Sequence, residues 1–131
     1  MRESSCTVDA TCDSSVWGLF AFGMYDAGDP RIAATMEALR ERLWVNTAGG
    51  GMARYEGGLY QKVSPEVPGN PWIICTLWLA DYLLEKSGTD QELAQAQDIL
   101  TWVANHALPS GVLGEQIDPL SVKPISVSPL I

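Results

Sequence analysis

Apolar positions recur at helical spacing in four stretches of this chain, and Gly- and Pro-rich segments separate them. Val16, Leu19, Phe20 and Gly23 predict a first helix from about Ser14 to Tyr25. Asp9 or Asp13 is placed to cap it, because a short carboxylate accepts the orphan N–H groups of a first turn. Ala27-Gly28-Asp29-Pro30 then breaks the chain. Asp29 caps a second helix with Pro30 at its first position, where a missing N–H loses no bond. Ile32, Met36, Leu39 and Leu43 form its apolar stripe, and Arg31, Glu37, Arg40, Glu41 and Arg42 lie mostly off it. That is the pattern of an amphipathic outer helix, ending before Gly49-Gly50-Gly51.

A third helix is predicted from Pro71 to about Lys86. Ile73, Leu77, Ala80 and Leu84 share one face, and Ile74, Trp78 and Tyr82 cover another. A helix apolar nearly all round is normally buried on both sides, so this one should sit deeper than its neighbours. The fourth opens on the capping box Thr89-Asp90-Gln91-Glu92 and carries the stripe Leu93, Ala96, Leu100, Val103, Ala107. Pro109 and Gly111 should end it, and His106 near that end complements the helix dipole. No strand pair is predicted. Ser110 to Ile131 reads as an ordered loop, because it is too apolar for a free tail, and Ser128-Pro129 reads as the start of another helix.

Charge narrows the classes of partner. Acidic residues number 16 and basic residues 8, a formal charge of −8, with no basic run. Such a chain has no footprint for a nucleic-acid backbone and no attraction to an anionic membrane. No apolar run approaches the roughly 18 residues that span a bilayer. The polar start Met1-Arg2-Glu3-Ser4-Ser5 lacks the apolar core of a signal peptide, so a cytoplasmic setting is expected. Cys6, Cys12 and Cys75 are odd in number and irregular in spacing, which suggests reduced thiols. With His106 as the single histidine, no metal site, no Ser-His-Asp set and no cofactor motif is expected.

Two loops carry candidate chemistry. The first runs from Gly49 through Arg54-Tyr55-Glu56 to Gly69-Asn70-Pro71-Trp72. It sets a guanidinium, a carboxylate and aromatic rings in a Gly-rich segment before the apolar helix. Sugars are bound by such groups: ring CH faces stack on aromatics, and hydroxyls take charge-assisted bonds. The same residues also read as a turn-rich connection with a surface ion pair. The second loop, Gly111 to Pro119, holds Glu115 between apolar residues. Partial desolvation there would move a carboxylate toward acid–base work, while an ordinary solvated glutamate is the alternative.

In chain order these stretches are Arg54-Tyr55-Glu56, Gly69-Asn70-Pro71-Trp72-Ile73-Ile74-Cys75-Thr76-Leu77-Trp78-Leu79-Ala80, Gly114-Glu115-Gln116-Ile117-Asp118-Pro119 and Val127-Ser128-Pro129-Leu130. Thr7-Val8-Asp9-Ala10 and Asp29-Pro30-Arg31 precede them. The set resembles the C-terminal part of the catalytic domain of glycoside hydrolase family 15, the glucoamylase and glucodextranase family. The Gly-Asn-Pro-Trp and Glu-Gln-x-Asp-Pro elements together make the resemblance specific.

The resemblance implies an all-α fold, a partial (α/α)6 barrel of about four helices with ordered pocket loops, and residues 1–131 as a C-terminal fragment of that domain. It implies an inverting enzyme that releases glucose from non-reducing ends of α-glucans or malto-oligosaccharides, with no cofactor. Glu115 matches the general base, and Arg54 the arginine that holds sugar hydroxyls. Tyr55 and Glu56 flank that arginine, and Trp72 matches a pocket-wall tryptophan. The general acid has no match here, since neither Glu56 nor Glu66 stands in its motif. Gly114, where many relatives carry a larger residue, should loosen the backbone of the base. A barrel left open should expose apolar helix faces and favour self-association. A non-catalytic helical chain that binds α-glucan is the alternative reading.

Overall fold

The computed structural model describes residues 8–86 and 88–126. Cys6, Thr7, the Val127-Ser128-Pro129-Leu130 stretch and the helix start expected at Ser128-Pro129 lie outside them. The described elements are α1 (Gly18–Ala21), α2 (Pro30–Leu43), α3 (Ile73–Lys86), α4 (Asp90–Asn105), β1 (Gln116–Ile117) and β2 (Pro124–Ile125). A 3-10 turn, Ser14–Trp17, precedes α1.

The first expected helix is therefore two short pieces. Asp13 is the cap, accepting from Ser15 N at 2.8 Å, whereas Asp9 accepts from Thr11 N instead. Ser14 is committed to the neighbouring loop: its N–H donates to Arg54 O and its hydroxyl to Ala53 O, both at 2.8 Å. These bonds satisfy a donor that any helix start leaves without an internal partner, and they tie the 3-10 turn to the loop; the turn runs directly into α1. Gly23, at φ +75°, then turns the chain out of the helix.

α2 follows its sequence pattern. Asp29 accepts from Arg31 N at 2.8 Å, and the Arg31 guanidinium folds back onto the same carboxylate. Ile32, Met36, Leu39 and Leu43 are all buried. In α4, Thr89 accepts from Glu92 N, and Glu92 accepts from Gly88 N in return. Its buried stripe differs from the expected one. Ala96, Ile99 and Val103 face the core, while Leu93 and Leu100 are 46% and 48% exposed. The small Ala96 lets α4 approach α3 closely, which centres the contact on that line. α4 ends at Asn105, short of Pro109. There the His106 ring takes the last-turn carbonyl of Trp102 at 2.6 Å.

α3 begins two residues later than expected because Pro71 and Trp72 are held in isolated bridges to Ala53 and Gln116. Cys75, Thr76, Leu79, Ala80 and Leu83 are buried against α2, α4 and the loops. Ile74 is 46% exposed and Trp78 half-buried, so the helix is covered on one side and open on the other. The strand pair is unforeseen. β1 and β2 pair antiparallel, with Gln116 opposite Ile125, and strands this short leave no alternation in a sequence. Asp118 closes their connection by accepting from Leu120 N and Ser121 N.

Candidate active site

The two motifs that look most specific in the sequence are knitted together in space. Trp72 N donates to Met52 O at 2.8 Å, which seats the Gly-Asn-Pro-Trp segment on the Gly-rich loop. Ile117 N donates to Pro71 O at 2.9 Å, and Ile73 N to Glu115 O at 3.2 Å. Asn70 Nδ2 donates to Gln116 Oε1 at 3.0 Å and to Gln61 O at 2.8 Å, while its Oδ1 accepts from Val63 N. One buried amide thus ties the first loop, the entry to α3 and the strand after Glu115.

Glu115 is half-buried and its backbone is held on both sides. Its N–H donates to Ser126 O at 3.0 Å, opposite the bond its carbonyl accepts. Gly114 does not loosen this segment. A side chain there would meet Pro124 Cβ at 2.9 Å and the carbonyls of Gln116 and Ile125 at 3.2 Å. Glycine is what lets the β1–β2 pair close beside the glutamate.

Arg54, Trp72 and Glu115 line one cleft of about 310 Å³. The Arg54 guanidinium lies 5.2 Å from the Trp72 ring centroid and 5.6 Å from that of Tyr55. Two ring faces thus hold the cation in place. Among the described residues, neither Arg54 nor Glu115 enters a salt bridge. Tyr55 does not line this cleft but a narrow crevice beside it, with Arg54, Tyr60, Asn70 and Trp72. Glu56 lines neither. Its carboxylate accepts from Cys12 N at 2.9 Å and lies 3.7 Å from Arg42, so it ties the N-terminal segment to the loop.

Sequence reasoning missed Asp13 and Trp78, which also line the cleft. Asp13 reads only as a cap, and one of its oxygens does that work. Trp78 stacks on Trp17 at 5.0 Å, with the planes 9° apart, and Trp17 donates to Asp81 at 2.8 Å. Its signal was the i, i+4 pair Ile74 and Trp78 on one side of α3. Cys75 also borders the cleft, but burial pushes its thiol up to about 12, so it stays protonated and is no nucleophile. The arrangement offers a cation and a tryptophan face for a polyhydroxylated ligand, with a carboxylate that can take a proton from water.

No family model matches the chain. A protein of Methanocaldococcus jannaschii described as an uncharacterized glycosyl hydrolase is 34% identical over 133 residues, covering 94% of this chain. The chain spans only 20% of that relative's length. Among solved structures, a wild-type glycosidase matches with a TM-score of 0.68 at 25% identity, over 83% of this chain and 26% of its own. A bacterial glucoamylase solved in complex with acarbose matches with a TM-score of 0.70 at 25% identity, over 92% of this chain and 18% of its own. α1 to α4 therefore form part of the glucoamylase (α/α)6 barrel. In sequence the chain is similar to a glycosyl hydrolase, and in fold it is glucoamylase-like.

Proposed function

We propose that this chain carries the general base of an inverting glycoside hydrolase that releases glucose from the non-reducing ends of α-glucans. Glu115 takes a proton from water as that water attacks the anomeric carbon. Arg54, steadied between Tyr55 and Trp72, donates to sugar hydroxyls, and Trp72 offers its face to the ring. Inversion requires a second carboxyl roughly 6.5–9.5 Å from the base, with a water between. In this reading that acid comes from another part of the barrel. Glu56 acts through the fold, because its carboxylate is bound to Cys12 N.

The observation that carries the reading is the convergence of Arg54, Trp72 and Glu115 on one cleft. The likeness to a glucoamylase solved with acarbose supports an oligosaccharide as ligand. A chimera tests it, with this chain replacing the matching segment of that bacterial glucoamylase. Maltotetraose should yield glucose whose β-anomer appears first by NMR. Glu115→Gln should lower kcat by about 10²–10⁴, the usual contribution of a general base. An undiminished rate in Glu115→Gln, or α-glucose as first product, overturns the proposal.

A further inference from the structure

α3 separates two concave surfaces. Ile74 and Trp78 face the cleft of Glu115, whereas Leu79 and Leu83 floor a groove between α2 and α4. At about 100° per residue Leu83 sits half a turn round the helix from Ile74, so the two surfaces open on opposite sides. That groove, of about 170 Å³, adjoins a more open hollow of about 420 Å³ on α2 and the residues just after it, and Arg40 and Trp44 line both. The hollow alone falls in the usual range of ligand sites, roughly 300–1,000 Å³.

The chemistry around Trp44 is that of a sugar site. Trp44 packs partly on the core and presents the rest of its indole to the groove. Glu37, Glu41 and Asn46 stand round it on one side, Gln95 on the other. Arg40 spans the walls through one long bond to Gln95 at 3.4 Å. Among the described residues, Glu37, Arg40 and Glu41 enter no salt bridge. Carboxylates, a guanidinium and amides with open hydrogen-bonding capacity around an indole suit a ligand with flat CH faces and many hydroxyls. A phosphate-rich ligand would meet three carboxylates, Glu37, Glu41 and Asp98, and an apolar partner would leave the charges unpaired.

We infer that this groove is a second α-glucan-binding site, separate from the cleft, which holds a longer glucan on the outer face. The choice of an α-glucan rests on the function proposed for the cleft, while the site rests on the groove itself. The test is titration of the ¹⁵N-labelled chain with maltoheptaose, followed by NMR. The Trp44 indole and the Arg40 and Gln95 amides should shift saturably. Replacing Arg40 and Glu41 with alanine should weaken that binding at least about tenfold and leave the shifts around Arg54 and Trp72 intact. Arg54→Ala should do the reverse. Groove resonances that stay still at saturation, that lose their response with Arg54→Ala, or that respond equally in the Arg40/Glu41 double variant overturn the inference. A titrating groove beside a silent cleft upholds it and defeats the cleft reading instead.

Discussion

Asn70 and Gln116 meet side chain to side chain in the interior, 3.0 Å apart, with 2% and 0% of their surfaces exposed. The bond joins two segments far apart in the chain and sets Glu115 beside Trp72. Asn70 is bonded at both ends of its amide, whereas Gln116 accepts at Oε1 and its buried Nε2 has no partner among the described residues, so the Asn70 bond is what holds the Gln116 side chain in place.

Asn70→Ala should therefore destabilise strongly for a change of one small polar side chain. It removes bonds to Gln61 O, Gln116 Oε1 and Val63 N and leaves a buried partner without a mate. A loss of about 1–3 kcal/mol is expected in urea unfolding, the order of cost of leaving the one fully buried partner, Gln116 Oε1, unsatisfied. The Asn70→Ala/Gln116→Ala double variant should lose less than the sum of the two singles. Strict additivity would show that the pair does not act as a unit.

Two glycines separate backbone strain from crowding. Gly51 and Gly57 both lie in the left-handed region, at φ +89° and +70°. A Cβ at Gly51 would meet Pro71 Cβ and Trp102 Cζ2 at 2.9 Å, whereas one at Gly57 would meet nothing within 4 Å. Alanine at either site carries the left-handed penalty of about 1–2 kcal/mol. Gly51→Ala should add about 1–3 kcal/mol of overpacking. Thermal melts of the two variants should differ accordingly, and equal melting temperatures would refute the crowding at Gly51.

The same contrast shows what the sequence could and could not disclose. Asp29-Pro30 and Thr89-Asp90-Gln91-Glu92 are local devices, and α2 and α4 start where those residues say. The placement of the first short helix is not set locally alone, because bonds from Ser14 to Arg54 and Ala53 tie its first turn to a loop far along the chain. Likewise Arg54, Trp72 and Glu115 were legible as types, but their convergence depends on the Asn70–Gln116 bond and the bridges beside it. Glu56 looked equal to Arg54 as a sugar contact, and only the Cys12 N–H explains why it turns elsewhere. The groove around Trp44 joins residues of α2 and α4, so no single window of sequence presents it.

Acid should weaken the fold through the helix and turn caps. The Arg31 side chain, then the Arg31 N–H, holds Asp29 down to about 2. Glu92, bonded by Gly88 N–H, Thr89 and Lys86, and Asp118, bonded by Ser121 and Leu120, are also lowered. A carboxylate lowered by folding stabilises above its unfolded value, about 4, and that contribution is lost as pH falls through its folded value. Melting temperature should thus fall between about pH 4 and pH 2. Asp29→Asn should flatten part of that fall. Because Asp29 is on the surface, added salt should shrink the difference between the two proteins. A slope identical in both proteins at low salt would remove Asp29 from the acid transition.

Arg54 offers the sharpest division between holding a sugar and cleaving it. Its guanidinium is fixed by the Tyr55 and Trp72 rings and is free of any ion pair among the described residues. A hydroxyl bonded to that cation gains about 1.5–3 kcal/mol as a charge-assisted contact. Calorimetric titration with maltotriose, too short to favour an extended groove, should show Arg54→Ala weakening binding by about tenfold or more. Glu115→Gln keeps shape and most hydrogen-bonding capacity, so it should leave binding nearly unchanged, as fits a group whose work is confined to the transition state. If Glu115→Gln instead weakens binding as much as Arg54→Ala does, the carboxylate is a ligand for the ground-state sugar. Its assignment as base would then fall while the cleft remained a sugar site.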